Sequence, residues 1–141
     1  MSDEPVHFQL SEVVRWLRAH DKRNLCFGGW PDDILEIYLR WHHANGSLFM
    51  VEDRGSLVAL GVGTQMDETD IDRHWVTGRS TGNAFYVSDV VATKKEGVAA
   101  CVDEMRARCP RWRELKLYAL RHGKKRRLSA RLFDRLLDKW K

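Results

Sequence analysis

Residues 83–108 read NAFYVSDVVATKKEGVAACVDEMRAR, and the parsing of this stretch decides the fold. Ala84-Phe85-Tyr86-Val87 and Val90-Val91 are aromatic and β-branched, the composition of a buried strand. Lys94, Lys95, Glu96 and Gly97 then interrupt the apolar run. From there Val98, Cys101, Val102 and Met105 recur at helical spacing with charges between them, which predicts a helix from Val98. A strand that passes through a short polar turn into a helix leaves backbone N–H groups free at the helix start, and such groups hold anions. The stretch predicts a ligand-binding end without naming the ligand.

Toward the N-terminus, Leu10, Val13, Val14 and Leu17 form a narrow apolar stripe and predict a helix over residues 8–20. Cys26-Phe27-Gly28-Gly29-Trp30 is a break. Pro31-Asp32-Asp33 opens a second helix, with Ile34, Leu35, Tyr38, Leu39 and Trp41 as its buried face and Asn45-Gly46 as its stop. Residues 47–52 and 56–62 predict two strands joined at Asp53-Arg54-Gly55, a hairpin turn. Residues 65–82 are polar and acidic without clean periodicity, which predicts a long loop with a helical turn, placed as a flap over a site.

Toward the C-terminus, Cys109-Pro110 closes the central helix. Residues 114–120 predict a further strand with Leu115, Leu117 and Ala119 on one face. Residues 121–127, RHGKKRR, read as a basic turn. Leu128, Leu132, Phe133, Leu136, Leu137 and Trp140 mark a last amphipathic helix. The expected architecture is α/β (α+β): one domain over residues 1–141 with a mixed, mostly antiparallel sheet flanked by helices, in the order α-α-β-β-loop-β-α-β-α.

The chain has 141 residues and is 43% hydrophobic, enough for a core without disulfide staples. No apolar run approaches a membrane span, and the opening MSDEPVHFQL is unlike a signal peptide. Cys26, Cys101 and Cys109 are an odd set without a CxxC pair, as expected of reduced thiols in the cytoplasm. The net charge of +4 hides an asymmetry. Residues 1–105 hold 10 Lys/Arg against 17 Asp/Glu, and residues 106–141 hold 14 against 3. The excess suggests a face for phosphate, nucleic acid or an acidic partner, built on Arg121, Lys124, Lys125, Arg126 and Arg127. The alternatives are a solvated turn and attraction between the two halves or to an acidic neighbour in an assembly.

The order of elements from about Pro31 onward resembles the GNAT superfamily of N-acetyltransferases: helices, a hairpin such as FMVEDRGSLVALGVG, a strand entering a helix, and another strand entering a second. The resemblance implies acetyl-CoA as cofactor, its pyrophosphate cradled by Thr93, Lys94, Lys95, Gly97 and Val98. Backbone groups of Val90 and Val91 would hold the pantetheine arm, and Arg126 would stand near a phosphate. The family's basic-Gly-x-Gly/Ala turn is matched here only by Gly97 and Ala99, with Glu96 near the basic position. In RRLSARLFDRL, Arg126, Ser129 and Phe133 occupy the family's Asn, Ala and Tyr positions, and phenylalanine cannot donate a proton. The chain stops at Lys141 without the family's final hairpin.

Acetyl transfer to an amine needs a base and a donor for the oxyanion. Glu52, Asp53 and Asp89 are bases by type. Asp89 in the central strand is the catalytic candidate, set against its reading as a surface carboxylate on an alternating strand. Tyr118 on the next strand is the candidate proton donor, set against a half-buried tyrosine with a solvated hydroxyl. His42, His43, His74 and His122 have no partners at metal-ligand spacing, and no metal is expected. Asp67, Asp70 and Asp72 lack the glycine and distal glutamate of a calcium loop. Two functions follow. One is an acetyl-CoA-dependent N-acetyltransferase. The other is a non-catalytic protein on the same scaffold, its basic third facing nucleic acid or a protein partner, resembling small components carried inside tailed-bacteriophage particles.

Overall fold

The computed structural model describes residues 9–21, 30–71, 81–121 and 124–140. Helix α1 (Leu10–His20) opens on Gln9 and Glu12, which bond each other's backbone amides reciprocally, and buries Val13, Val14 and Leu17. Helix α2 (Asp32–Ala44) opens on Pro31 with Asp32 and Asp33 in its first turn and buries Leu35, Tyr38, Leu39 and His42. Its chain reverses at Gly46, where φ is 72°.

Strands β1 (Leu48–Asp53) and β2 (Ser56–Met66) form the expected hairpin. Arg54 and Gly55 both hold positive φ, 54° and 82°, as a two-residue turn matched to strand twist requires. Strand β3 (Ala84–Ala92) follows, then α3 (Lys95–Arg108), β4 (Lys116–Arg121), β5 (Lys124–Leu128) and α4 (Ala130–Trp140). The five strands lie in chain order, β1-β2-β3-β4-β5. Only β3 and β4 are parallel, with α3 as their crossover. The mixed, mostly antiparallel α+β sheet is as expected.

Each face of the sheet carries its own core. Val13, Leu17, Leu35, Tyr38 and Leu39 of α1 and α2 pack on Leu57, Leu60, Val62 and Val91. On the other face Cys101 and Met105 of α3, together with Trp112, pack on Phe49, Phe85 and Leu117. Helix α3 lies close to the sheet because Gly61 and Gly63 offer no side chains. A Cβ on Gly61 would stand 2.5 Å from the Cys101 sulfur.

Four expectations need correction. Within the basic run, residues 124–127 are not a turn: residues 124–128 form β5, antiparallel to β4. An edge strand needs partners on one side only, so it tolerates a sequence without apolar alternation, and charge suits an edge. The last helix starts at Ala130, with Leu128 in β5. The central helix starts at Lys95 rather than Val98, because its polar first turn is exposed and carries no apolar periodicity. Finally, β2 runs on to Met66 rather than stopping at Val62, while Glu68–Asp70 form the helical turn expected in the segment that follows. The rest of the predicted flap, residues 72–80, lies outside the described residues, as do Cys26, His74 and His122.

Candidate functional site

The middle of β3 breaks its own periodicity. Val62 faces Asp89 and Gly63 faces Val87, so Ser88 is an extra residue without a partner on β2, a β-bulge. The bulge switches the side-chain parity. Phe85 belongs to the α3 face, whereas Val91 belongs to the α1/α2 core. Parallel pairing with β4 ends at the same place, at Val87 opposite Ala119. From Ser88 to Ala92, β3 pairs with β2 alone among the described strands. The two parallel strands thus part at the bulge, and β3 continues into the start of α3.

A second bulge fixes that start. Val51 faces Ala59 and Glu52 faces Leu57, which leaves Val58 as the extra residue on β2. The Val58 carbonyl accepts the Thr93 N–H at 2.9 Å and the Thr93 hydroxyl at 3.3 Å. Lys94 precedes the helix and its ammonium pairs with Asp53 at 3.2 Å. The Gly97 N–H donates to the Lys94 carbonyl. The amides of Lys95 and Glu96 remain directed out of the first turn. Gly97 itself is buried, and a Cβ there would stand 3.1 Å from the Ala59 methyl. This glycine lets the helix lie on the sheet, and of residues 93–98 the Thr93 and Gly97 amides are already bonded within the fold. Val91 is a core residue, and Val98 packs on Ala99 and Val102.

Asp89 is not a surface carboxylate. It is 2% exposed, and its Oδ2 accepts hydrogen bonds from the Tyr38 hydroxyl at 2.6 Å and the Ser88 hydroxyl at 3.0 Å. Burial, reinforced by the Asp89 charge, pushes the Tyr38 phenol far above its ordinary range. The bulge explains the placement: the extra residue turns Asp89 under α2, where Tyr38 meets it. Nearby His42 Nδ1 lies 2.7 Å from the Ser47 hydroxyl, both buried.

Tyr118 belongs to a different network. Its hydroxyl donates to Glu68 Oε2 at 2.6 Å, and Lys116 bonds Oε1 of the same carboxylate. The Lys116 ammonium first, then the Tyr118 hydroxyl, lowers the Glu68 pKa to about 2. The bond to Glu68 in turn raises the Tyr118 phenol, making it a weaker acid. Asp89 and Tyr118 share no hydrogen bond, so the two catalytic candidates stand in separate clusters.

The basic residues divide by strand geometry. Lys125 and Arg127 lie opposite Leu120 and Tyr118, and Arg126 lies opposite Ala119, so alternate side chains leave opposite faces of the sheet. All three are exposed, and none makes an ion pair among the described residues. Arg126 is separated from β3 by the whole width of β4. Arg121 and Lys124 close the hairpin with their backbones, and their side chains lie outside the described residues, as does that of Phe133.

Tyr38, Ser88, Glu68 and Lys116 were not singled out by sequence reasoning. The adjacent polar pair Ser88-Asp89 inside an otherwise apolar strand was the available signal for the bulge. Glu68 gave no such signal, since it reaches Tyr118 from 50 residues away. No group of metal-ligating side chains occurs among the described residues, and no described helix is long and apolar enough to cross a membrane. Neither a scan of protein-family models nor a search of curated proteins yields a match to this chain.

Proposed function

We propose that the chain binds an acyl-coenzyme A at the point where β3 and β4 part, as in the N-acetyltransferases its element order resembles. The observation that carries this reading is the end of parallel pairing at Val87 and Ala119, coincident with the Ser88 bulge. Strand edges that separate at a bulge expose backbone groups able to align an extended amide-bearing arm. The Lys95 and Glu96 amides and the Lys95 ammonium would hold the diphosphate at the end of that arm. Coenzyme A would supply the activated thioester, and the chain's residues would orient it. Asp89 serves this reading as the residue that fixes the bulge beneath α2 rather than as a solvent-facing base. Acetyl transfer to an amine is the reaction class the resemblance brings with it.

Calorimetric titration with acetyl-CoA tests the reading. Lys95→Glu reverses an exposed charge without touching the packing of Gly97 and favours the helix start itself, so it is expected to weaken micromolar binding about tenfold through repulsion of the diphosphate alone. Absence of binding up to millimolar acetyl-CoA would overturn the reading.

A second reading is favoured by Lys125, Arg126 and Arg127. Three exposed cations on the outer strand, without acidic partners among the described residues, fit a polyanion-binding protein, in the cytoplasm or in a virus particle, with or without catalysis.

A further inference from the structure

We propose that the face of β4 and β5 bearing Tyr118, Lys125 and Arg127 binds single-stranded nucleic acid, with the Tyr118 ring as a base-stacking platform. The inference rests on the second reading above and adds a ligand class and a residue that reading does not contain. Tyr118 and Arg127 are cross-strand partners, and Leu120 and Lys125 are the next pair on the same face. The Lys125 ammonium lies 5.1 Å from the Tyr118 ring centre and the Arg127 guanidinium 5.8 Å. The half-buried ring packs on Met66 and Tyr86 and lies under the two cationic heads; a base would take their place on the ring while the flexible heads turn to the phosphates beside it. Residues two apart on a strand are separated by about 7 Å, which sets Lys125 and Arg127 to meet successive phosphates.

The ring is also held in place. Its hydroxyl is bonded to Glu68, whose second oxygen is taken by Lys116. That carboxylate is ionised and is offset by the Lys116 ammonium, so Lys125 and Arg127 set the sign of the charge on this face. Much of the remaining charge in the C-terminal third is already compensated: Arg106 and Arg113 pair with Asp134, and Arg111 pairs with Glu114. Among the described residues, Lys125, Arg126 and Arg127 of β5 make no ion pair. Charge on an outer strand also keeps edges from pairing with other chains, but edge protection needs neither a ring under the cations nor an anchor for its hydroxyl. A single strand is favoured over a duplex because only unpaired bases present a π-face.

The test is fluorescence anisotropy of the full-length protein with labelled oligothymidine, with a duplex of the same length and poly-glutamate as comparators. The expected result is tighter binding of the single strand than of either comparator. Between about 50 and 200 mM salt, two phosphate contacts give a log–log slope of about −1.4. Lys125→Ala with Arg127→Ala should bring that slope close to zero. Tyr118→Leu should weaken binding about tenfold with little change in slope. Tyr118→Phe keeps the ring and should retain binding, and circular dichroism shows whether each variant is folded. If binding follows the cations but a folded Tyr118→Leu is unaffected, the stacking inference fails while polyanion binding stands. Equal binding of duplex or poly-glutamate, or no binding at the lower salt, overturns it. Displacement of the oligonucleotide by acetyl-CoA would assign the face to the coenzyme's nucleotide and would overturn it as well.

Discussion

The Tyr38 hydroxyl on α2 donates a 2.6 Å hydrogen bond to Asp89 on β3, across 51 residues of sequence. This bond joins a helix to β3 next to the Ser88 bulge, where that strand changes parity. It couples the α1/α2 layer to the parting of β3 and β4. Removing the hydroxyl in Tyr38→Phe leaves a buried carboxylate with one of its hydrogen bonds gone, and it should lower unfolding stability by about 2 kcal/mol. Urea unfolding of Tyr38→Phe, Asp89→Ala and the double variant measures this. The two single losses should not add, because both delete the same interaction.

The Glu68 cluster makes a pH prediction with a definite sign. The Glu68 pKa is lowered from 4.5 to about 2 in the folded chain. A depressed carboxylate contributes stability above its unfolded value, and that contribution is lost as pH falls through the folded value. Its share is therefore present above pH 4.5 and disappears on the way down to about 2. Glu68→Gln should flatten the stability profile in that window, and the wild type's advantage should vanish at the acid end. An unchanged profile in denaturant titrations across the window would contradict the cluster.

Gly61 is required by a neighbour rather than by its own backbone. An added methyl would meet the Cys101 sulfur at 2.5 Å and the Met105 methyl at 2.8 Å. Methionine can move its end, but the short cysteine side chain cannot. Gly61→Ala should cost about 1–3 kcal/mol by overpacking. Adding Cys101→Ala should restore most of that loss, which thermal melts of the single and double variants will show.

The two described thiols should be silent in the native protein. Burial pushes the Cys101 thiol up to about 12 and raises that of Cys109 as well. Thiolate is the reactive form. In a Cys26→Ser background at about pH 8, a disulfide reagent should label neither residue until denaturant is added, and then both. Rapid native labelling would show that the α3 layer opens.

The elements whose residues report a periodic environment were legible in the sequence. Leu10, Val13, Val14 and Leu17 marked α1, and Arg54-Gly55 marked the first hairpin. What escaped was set by single insertions and by the edge. Ser88 looks like any residue of an alternating strand until its register with β2 is known, and one extra residue moved Asp89 from the α3 face to the α1/α2 face. Strand β5 escaped because an edge built from Lys124, Lys125, Arg126 and Arg127 carries no apolar pattern. The Glu68–Tyr118 contact is long-range and polar, and local sequence carries no trace of it.

The agreement between strand order and chain order has a consequence for synthesis. As the polypeptide emerges from the ribosome, each new strand finds its neighbour already laid down, so the sheet can grow by accretion from β1. The connection from Met66 to Ala84 and the α3 crossover interrupt this growth, and the cationic ribbon is the last strand added.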